Sequence, residues 1–356
     1  KADALRDLSL KVAKSFRKRK DDYLVTSQTL YQHLIAPIAP WLQAHQAHNL
    51  VIVPDGALRL VPLAALHDGQ QYLIERYAVS TSPGLTLIDA TPLHRRGIHS
   101  LIAGMSEPGP VISNLPKAFF QNIALASARG TTKANEASRE LPMDIEALEG
   151  ERAIDSERVM NDPEFVQKLK TQLKLPGVAR EVENLSSQVA NNDRLLNESF
   201  TVENFEHQVT QEPYSVVHIA SHGVFGRTAD TSFIMAYDNV IDMDKLERLL
   251  KSDKFKQNPV ELLTLSACQT AEGDDRAPLG LSGVAIKARV RSALGTLWPV
   301  NDEAAAKLMT QFYKALSSEG HDKVQALREA QRTLLSDSKL NHPYYWAPFV
   351  LVGNWM

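Results

Sequence analysis

From about residue 212 onward the chain alternates short apolar runs with amphipathic segments, and this alternation confines it to one broad class of fold. Ser215–Ala220, Leu262–Leu265 and Ala293–Trp298 are short runs rich in Val, Leu and Ile, which read as buried strands. Residues 242–250, 283–290, 302–316 and 323–335 read as helices between and after them. In the third, Ala305, Leu308, Met309, Phe312 and Leu316 share one face, with Asn301 placed to cap it. Pro348–Val352 reads as a closing strand. Strands joined through helices pair mostly in parallel, because a parallel pair needs a crossover long enough to return the chain. The pattern therefore predicts an α/β fold, a mostly parallel sheet flanked by helices. In such sheets chemistry gathers in the loops beyond the carboxyl ends of the strands.

Upstream, residues 2–19 predict a helix through Leu5, Leu8, Val12 and Phe16. A second helical segment, 27–46, carries Leu30, Leu34, Ile38 and Leu42 and should bend at Pro37 and Pro40. Residues 50–53 read as a strand entering the turn Pro54-Asp55-Gly56, and 72–80 and 101–103 read as further strands. Residues 136–164 hold ten acidic and three basic side chains, a charged insertion between better-ordered parts. A helix over 178–190 follows, with Val182, Leu185 and Val189 on its apolar face. The expected division is a helical lead-in at 1–48, a support subdomain at 49–175 with an insertion at about 107–174, and a catalytic subdomain at 176–356. A chain opening on Lys1 rather than Met is expected to continue a longer N-terminal region.

Composition removes several function classes. With 39 Lys+Arg against 42 Asp+Glu, the net charge of −3 does not suit a coat for nucleic acid or an anionic membrane. Its one cysteine, Cys268, excludes an intramolecular disulfide and a zinc site of several thiolates. It is either a buried apolar residue or a reactive thiol. The most apolar stretch, Leu50–Leu66, is interrupted by Asp55, Gly56 and Arg59, so no membrane contact is expected. No Gly-Lys-Ser/Thr phosphate loop and no dinucleotide fingerprint occurs. Gly280–Val284 lacks the closing glycine of a serine nucleophile elbow, and Ser282 reads as a helix cap. His218 and His222 straddle a strand end, where four extended residues span roughly 13 Å, too far to share a metal. The basic tetrad Arg17–Lys20 reads as a solvated helix end, and direct binding of nucleic acid is not expected.

Two strands end in chemically capable side chains. One runs Val217-His218-Ile219-Ala220-Ser221-His222-Gly223, the other Leu263-Thr264-Leu265-Ser266-Ala267-Cys268. A parallel sheet would bring His222 and Cys268 out at the same edge, one crossover apart. A thiol at its ordinary pKa is mostly protonated at neutral pH, whereas a neighbouring imidazole stabilises the thiolate and later protonates the leaving amine. The amides of Gly223 and Cys268 could together face a developing oxyanion. No acidic partner for His222 can be named, which leaves a backbone carbonyl to orient it.

With these pieces in order, the chain resembles a CHAT domain, a caspase-like peptidase module related to separase and often fused to TPR repeats. The resemblance is carried by His222-Gly223, Leu265–Ala271, Leu279–Gly283, Gly295–Asp302 and His342–Phe349, with Val53–Gly56, Leu60–Leu63 and Leu175–Val182 upstream. Against the caspase pattern of Gln-Ala-Cys with a His about fifty residues before it, Ser266 stands for the Gln and Thr270 for the following Gly. The resemblance implies a degenerate caspase-like half before a catalytic one. It implies a cysteine endopeptidase with a His222–Cys268 dyad, without cofactor or metal, or a catalytically silent scaffold of the same fold. It places Asp302 in the pocket for a basic residue before the cut, favouring Arg or Lys, with Ser266 lining the same pocket. The partners expected are a protein substrate and a regulatory protein or N-terminal repeat region, in the cytoplasm. Residues 272–278, directly after the cysteine, would gate the site.

Overall fold

The computed structural model describes residues 2–20, 22–84, 91–92, 98–116, 163–225, 232–256, 258–266, 268–270, 289–318 and 320–356. In chain order it runs α1 (Ala2–Arg17), α2 (Tyr23–Leu34), α3 (Ala39–Ala44), β1 (Asn49–Ile52), α4 (Leu73–Arg76), β2 (Ala78–Thr81) and β3 (Ser100–Gly104). Then come α5 (Pro163–Gln172), α6 (Pro176–Gln188), β4 (Asn192–Leu196), α7 (Val202–Gln211), β5 (Val216–Ala220), β6 (Gly223–Phe225), β7 (Phe233–Met235) and β8 (Val240–Asp242). Last are α8 (Met243–Leu250), β9 (Leu262–Leu265), β10 (Cys268–Thr270), β11 (Ser292–Thr296), α9 (Asp302–Leu316), α10 (Lys323–Leu335), α11 (Pro343–Trp346) and β12 (Phe349–Gly353).

Eight strands form one sheet in the order β1-β2-β12-β11-β9-β5-β3-β4, and every neighbouring pair is parallel except β11 with β12. This is the mixed α/β architecture with a mostly parallel sheet that the alternation predicts. Helices cover both faces, and the side-chain period of two shows it. On β5, Val216 and Ala220 join the core beneath α6 and α9, whereas Val217 and Ile219 join the core beneath α7 and α8. All five β5 residues are buried, so the strand reads as a continuous apolar run interrupted by His218. Strand β3 lies between β5 and β4, so strands from both sides of residue 175 interleave in a single sheet. At Gly104 a Cβ would come within 2.6 Å of Val182, so the glycine lets α6 lie close on β3.

Asn301 caps α9, accepting the amide of Ala304 at 3.0 Å. The helical segment expected over 27–46 divides into α2 and α3 around Pro37. The strand expected over 72–80 begins only at Ala78, because Glu75 accepts the Tyr72 amide at 2.7 Å and closes the single turn of α4. Helix α5 occupies the end of the expected insertion. A second, four-stranded sheet, β10-β6-β7-β8, has no counterpart in the sequence reading, because three-residue strands show no resolvable period. Residues 283–288 of the expected helix 283–290, Ser282 as its cap, the gating segment 272–278 and the acidic run up to 162 lie outside the described residues, and Arg289 and Val290 are not helical. In the basic tetrad, Arg19 lies over Tyr344 and Tyr345, 4.3 and 4.5 Å from their ring centres, which commits it to packing. Among the described residues no helix is long and apolar enough to cross a membrane.

Candidate active site

The site is built where β5 and β9 leave the large sheet. After Ala220 the chain is fixed at once: the buried Ser221 hydroxyl donates to the Met235 carbonyl at 2.6 Å, and the Met235 amide donates to the His222 carbonyl at 2.8 Å. These bonds pin the backbone of His222 against β7. On its other side β6 runs parallel to β10, with Gly223 in register with Cys268. Adjacent strands lie about 4.8 Å apart. His222 therefore precedes by one residue the position that faces Cys268, and the small sheet, not the large one, makes the juxtaposition.

The His222 ring is oriented by a helix end. Its Nε2 lies 3.0 Å from the carbonyl of Leu173, the first residue beyond α5. A carbonyl only accepts, so Nε2 carries the proton and the lone pair of the neutral ring is on Nδ1. The last carbonyls of a helix lack intrahelical donors and carry the negative end of its dipole. Leu173 thus supplies both the tautomer and a favourable field for an imidazolium, the role left to a backbone carbonyl by the sequence.

Asp302 is the first residue of α9, and its carboxylate accepts the Gly177 amide at 2.5 Å. Gly177 lies in the first turn of α6, where amides have no helical acceptor, so Asp302 serves two helix N-termini at once. A Cβ on Gly177 would fall 2.7 Å from Asp302 Cγ, so the contact requires glycine. The segment 173–177 therefore holds His222 at one end and Asp302 at the other. Four extended residues place these anchors at most about 13 Å apart. The Leu175 amide ties the segment's middle to the Ser106 carbonyl at 2.9 Å. Ser266 is fully enclosed, its amide bonded to the Ile219 carbonyl at 3.1 Å and its hydroxyl without a hydrogen-bond partner among the described residues.

Sequence reasoning missed the buried polar network behind the site. His218 on β5, 0% exposed, places Nε2 2.8 Å from Glu181 on α6 and Nδ1 3.2 Å from the Tyr313 hydroxyl on α9. Tyr313 in turn meets Thr264 of β9 at 3.0 Å. Burial pushes the Tyr313 phenol above its ordinary pKa, which keeps it neutral. The network ties α6 and α9 to the two strands that lead to His222 and Cys268. Its signal was present: Glu181 falls on the apolar face of an amphipathic helix, and His218 interrupts an apolar strand.

Comparison with known proteins places this geometry in context. The family model described as CHAT domain matches residues 24–354. Human "Tetratricopeptide repeat protein 28" is 26% identical over 344 residues, covering 92% of this chain and 13% of that protein, so the chain spans a small part of that relative. Among solved structures, the complex of Porphyromonas gingivalis RgpB pro- and mature domains aligns with a TM-score of 0.47 at 7% identity, over 99% of this chain and 76% of that one. The crystal structure of the Arg specific cysteine proteinase gingipain R aligns with a TM-score of 0.46 at 8% identity, over 90% and 67% of the two chains.

Proposed function

Because the chain belongs to the CHAT domain family, we propose that it is a cysteine endopeptidase that cuts a protein substrate after Arg or Lys, using His222 and Cys268. The observation that carries this reading is the parallel register of Cys268 on Gly223, beside an imidazole whose Nε2 is held by Leu173. Nδ1 of His222 takes the thiol proton, and the Cys268 sulfur attacks the scissile carbonyl to form a C–S bond. The amides of Gly223 and Cys268 receive the oxyanion. The imidazolium then protonates the leaving amine as the C–N bond breaks. Water, losing its proton to Nδ1, hydrolyses the thioester and restores the thiol.

Asp302 takes the basic side chain that precedes the cut. An ionised carboxylate has room for about four hydrogen bonds, so the Gly177 amide and a guanidinium fit on one group. Ser266, enclosed and with its hydroxyl unpartnered among the described residues, would floor that pocket. Control would come through an N-terminal repeat region or a partner protein, in line with the tetratricopeptide repeats named in the human relative, with the cytoplasm as the site of action.

A fluorogenic peptide panel with Arg, Lys, Asp or Leu before the cut tests the reading. Turnover of the Arg and Lys peptides, abolished by Cys268→Ala and lowered at least a hundredfold by Asp302→Asn, is expected. Turnover that survives Cys268→Ala would overturn the dyad. If no peptide is cut and Cys268 alkylates no faster than free cysteine at neutral pH, the chain is a docking module of the same fold.

A further inference from the structure

The two strands that lead to His222 and Cys268 change register between the large sheet and the small one. β5 and β9 end on the pair Ile219 with Leu265, and the Ser266 amide still donates to the Ile219 carbonyl at 3.1 Å. The next pair is Gly223 with Cys268, in β6 and β10. Between these pairs the first strand holds three residues, 220–222, and the second only two, 266–267. An extra residue in one of two paired strands bends that strand and re-aims a side chain, and such bulges recur beside active sites.

The extra residue is confined to Ser221 and His222. Upstream, the Tyr313 hydroxyl meets both members of one register pair, His218 at 3.2 Å and Thr264 at 3.0 Å, so β5 cannot slide along β9 to absorb it. The Met105 amide, continuing the ladder of β3, donates to the Ala220 carbonyl at 3.0 Å. Downstream, Gly223 pairs with Ile234 and Val224 with Phe233, so the antiparallel ladder of β6 and β7 would next join His222 to Met235. It does so on one side, where the Met235 amide donates to the His222 carbonyl at 2.8 Å. On the other side the Met235 carbonyl accepts the Ser221 hydroxyl at 2.6 Å, at the place a regular ladder gives to the His222 amide. Ser221 is 0% exposed, and a buried carbonyl that loses its donor is penalised, so this bond holds the bend.

We infer that Ser221 is a positioning residue: its hydroxyl holds the bulge that turns the His222 ring out of the strand ladder and onto the Leu173 carbonyl, 3.0 Å from Nε2. Without the hydroxyl the His222 amide can take the Met235 carbonyl, the ladder straightens, and the ring leaves its acceptor. As a role in turnover this rests on the peptidase reading; as a role in orienting the ring it does not.

The test is nitrogen NMR of the full chain with isotopically labelled histidine, read at a pH where the rings are neutral. The His222 signals are assigned by their loss in His222→Asn. Wild type is expected to show the Nε2–H form of His222, and Ser221→Ala a mixture of both tautomers. In the peptidase assay Ser221→Ala should lower kcat about tenfold or more at unchanged KM. A merely structural role would lower the melting temperature alone. An unchanged tautomer in Ser221→Ala overturns the inference, as does a wild type lacking the Nε2–H form; so do kcat and KM that both stay at the values of an active wild type. If Ser221→Ala does not fold, Ser221→Cys, nearly the same in size and a weaker donor, is read in its place, and an unchanged tautomer there overturns the inference. If wild type cuts no peptide, the peptidase reading fails and the tautomers alone decide the role of Ser221.

Discussion

Nε2 of His222 lies 3.0 Å from the main-chain carbonyl of Leu173. Leu173 is fully buried, so the position of that carbonyl depends on how its side chain packs. Leu173→Ala should loosen the acceptor and withdraw part of the support for the imidazolium. One such hydrogen bond is worth about 1 kcal/mol, so in the proposed peptidase kcat/KM should fall roughly fivefold with KM unchanged. Unchanged turnover would count against orientation of His222 by Leu173.

The Glu181–His218 contact is enclosed on both sides, 1% and 0% exposed. Either Glu181→Leu or His218→Leu strands a buried polar group and should cost about 3 kcal/mol or more. The double substitution removes both groups and should cost clearly less than the sum. Urea denaturation of the four proteins measures the coupling, and additive losses would show that the two residues act independently.

Gly177→Ala pushes a Cβ into the Asp302 carboxylate. The expected loss is about 1–3 kcal/mol, because α6 and α9 must separate to admit it. Asp302→Ala leaves the α6 amides without that acceptor and should cost about 1 kcal/mol. Thermal melting compares the two, and the glycine change is expected to be the more damaging.

His342 accepts the Tyr344 amide at 3.0 Å as the cap of α11, and burial, with Arg19 nearby, holds its pKa down at about 4 instead of 6.5. The unfolded chain therefore binds more protons between pH 6.5 and 4, and stability falls as pH drops through that window. His342→Asn keeps a capping acceptor that does not titrate and should flatten this part of the stability curve. A dependence that survives the change would have to come from other groups.

Lys323 is 0% exposed, its ammonium is 3.9 Å from Glu261 with no hydrogen-bond partner among the described residues, and burial lowers its pKa from 10.5 to about 8. The folded chain resists protonation that the unfolded chain accepts, so stability rises as pH climbs from 8 to 10.5. At neutral pH the cost is up to about 3 kcal/mol. Lys323→Met should therefore stabilise the fold, with Arg291 still 3.3 Å from Glu261, and should remove the alkaline rise. A lower melting temperature in this variant at pH 7 would count against the burial penalty.

The sequence alone specified the class of fold, because β5, β9 and β11 are short buried runs separated by long connections, and only parallel pairing closes such a chain. It also specified α9 and α10, whose apolar spacing and Asn301 cap are local properties. His222 and Cys268 could be singled out because each directly follows an apolar strand. Tertiary structure decided what faces what. That Cys268 pairs with Gly223 depends on a second sheet of three-residue strands, too short to leave a period in the sequence. That Leu173 orients His222, and that Asp302 reaches Gly177 across 125 residues, depends on helix ends meeting in space. Local patterns encode which face of an element is apolar; unpaired amides and carbonyls find their partners only once the elements have packed.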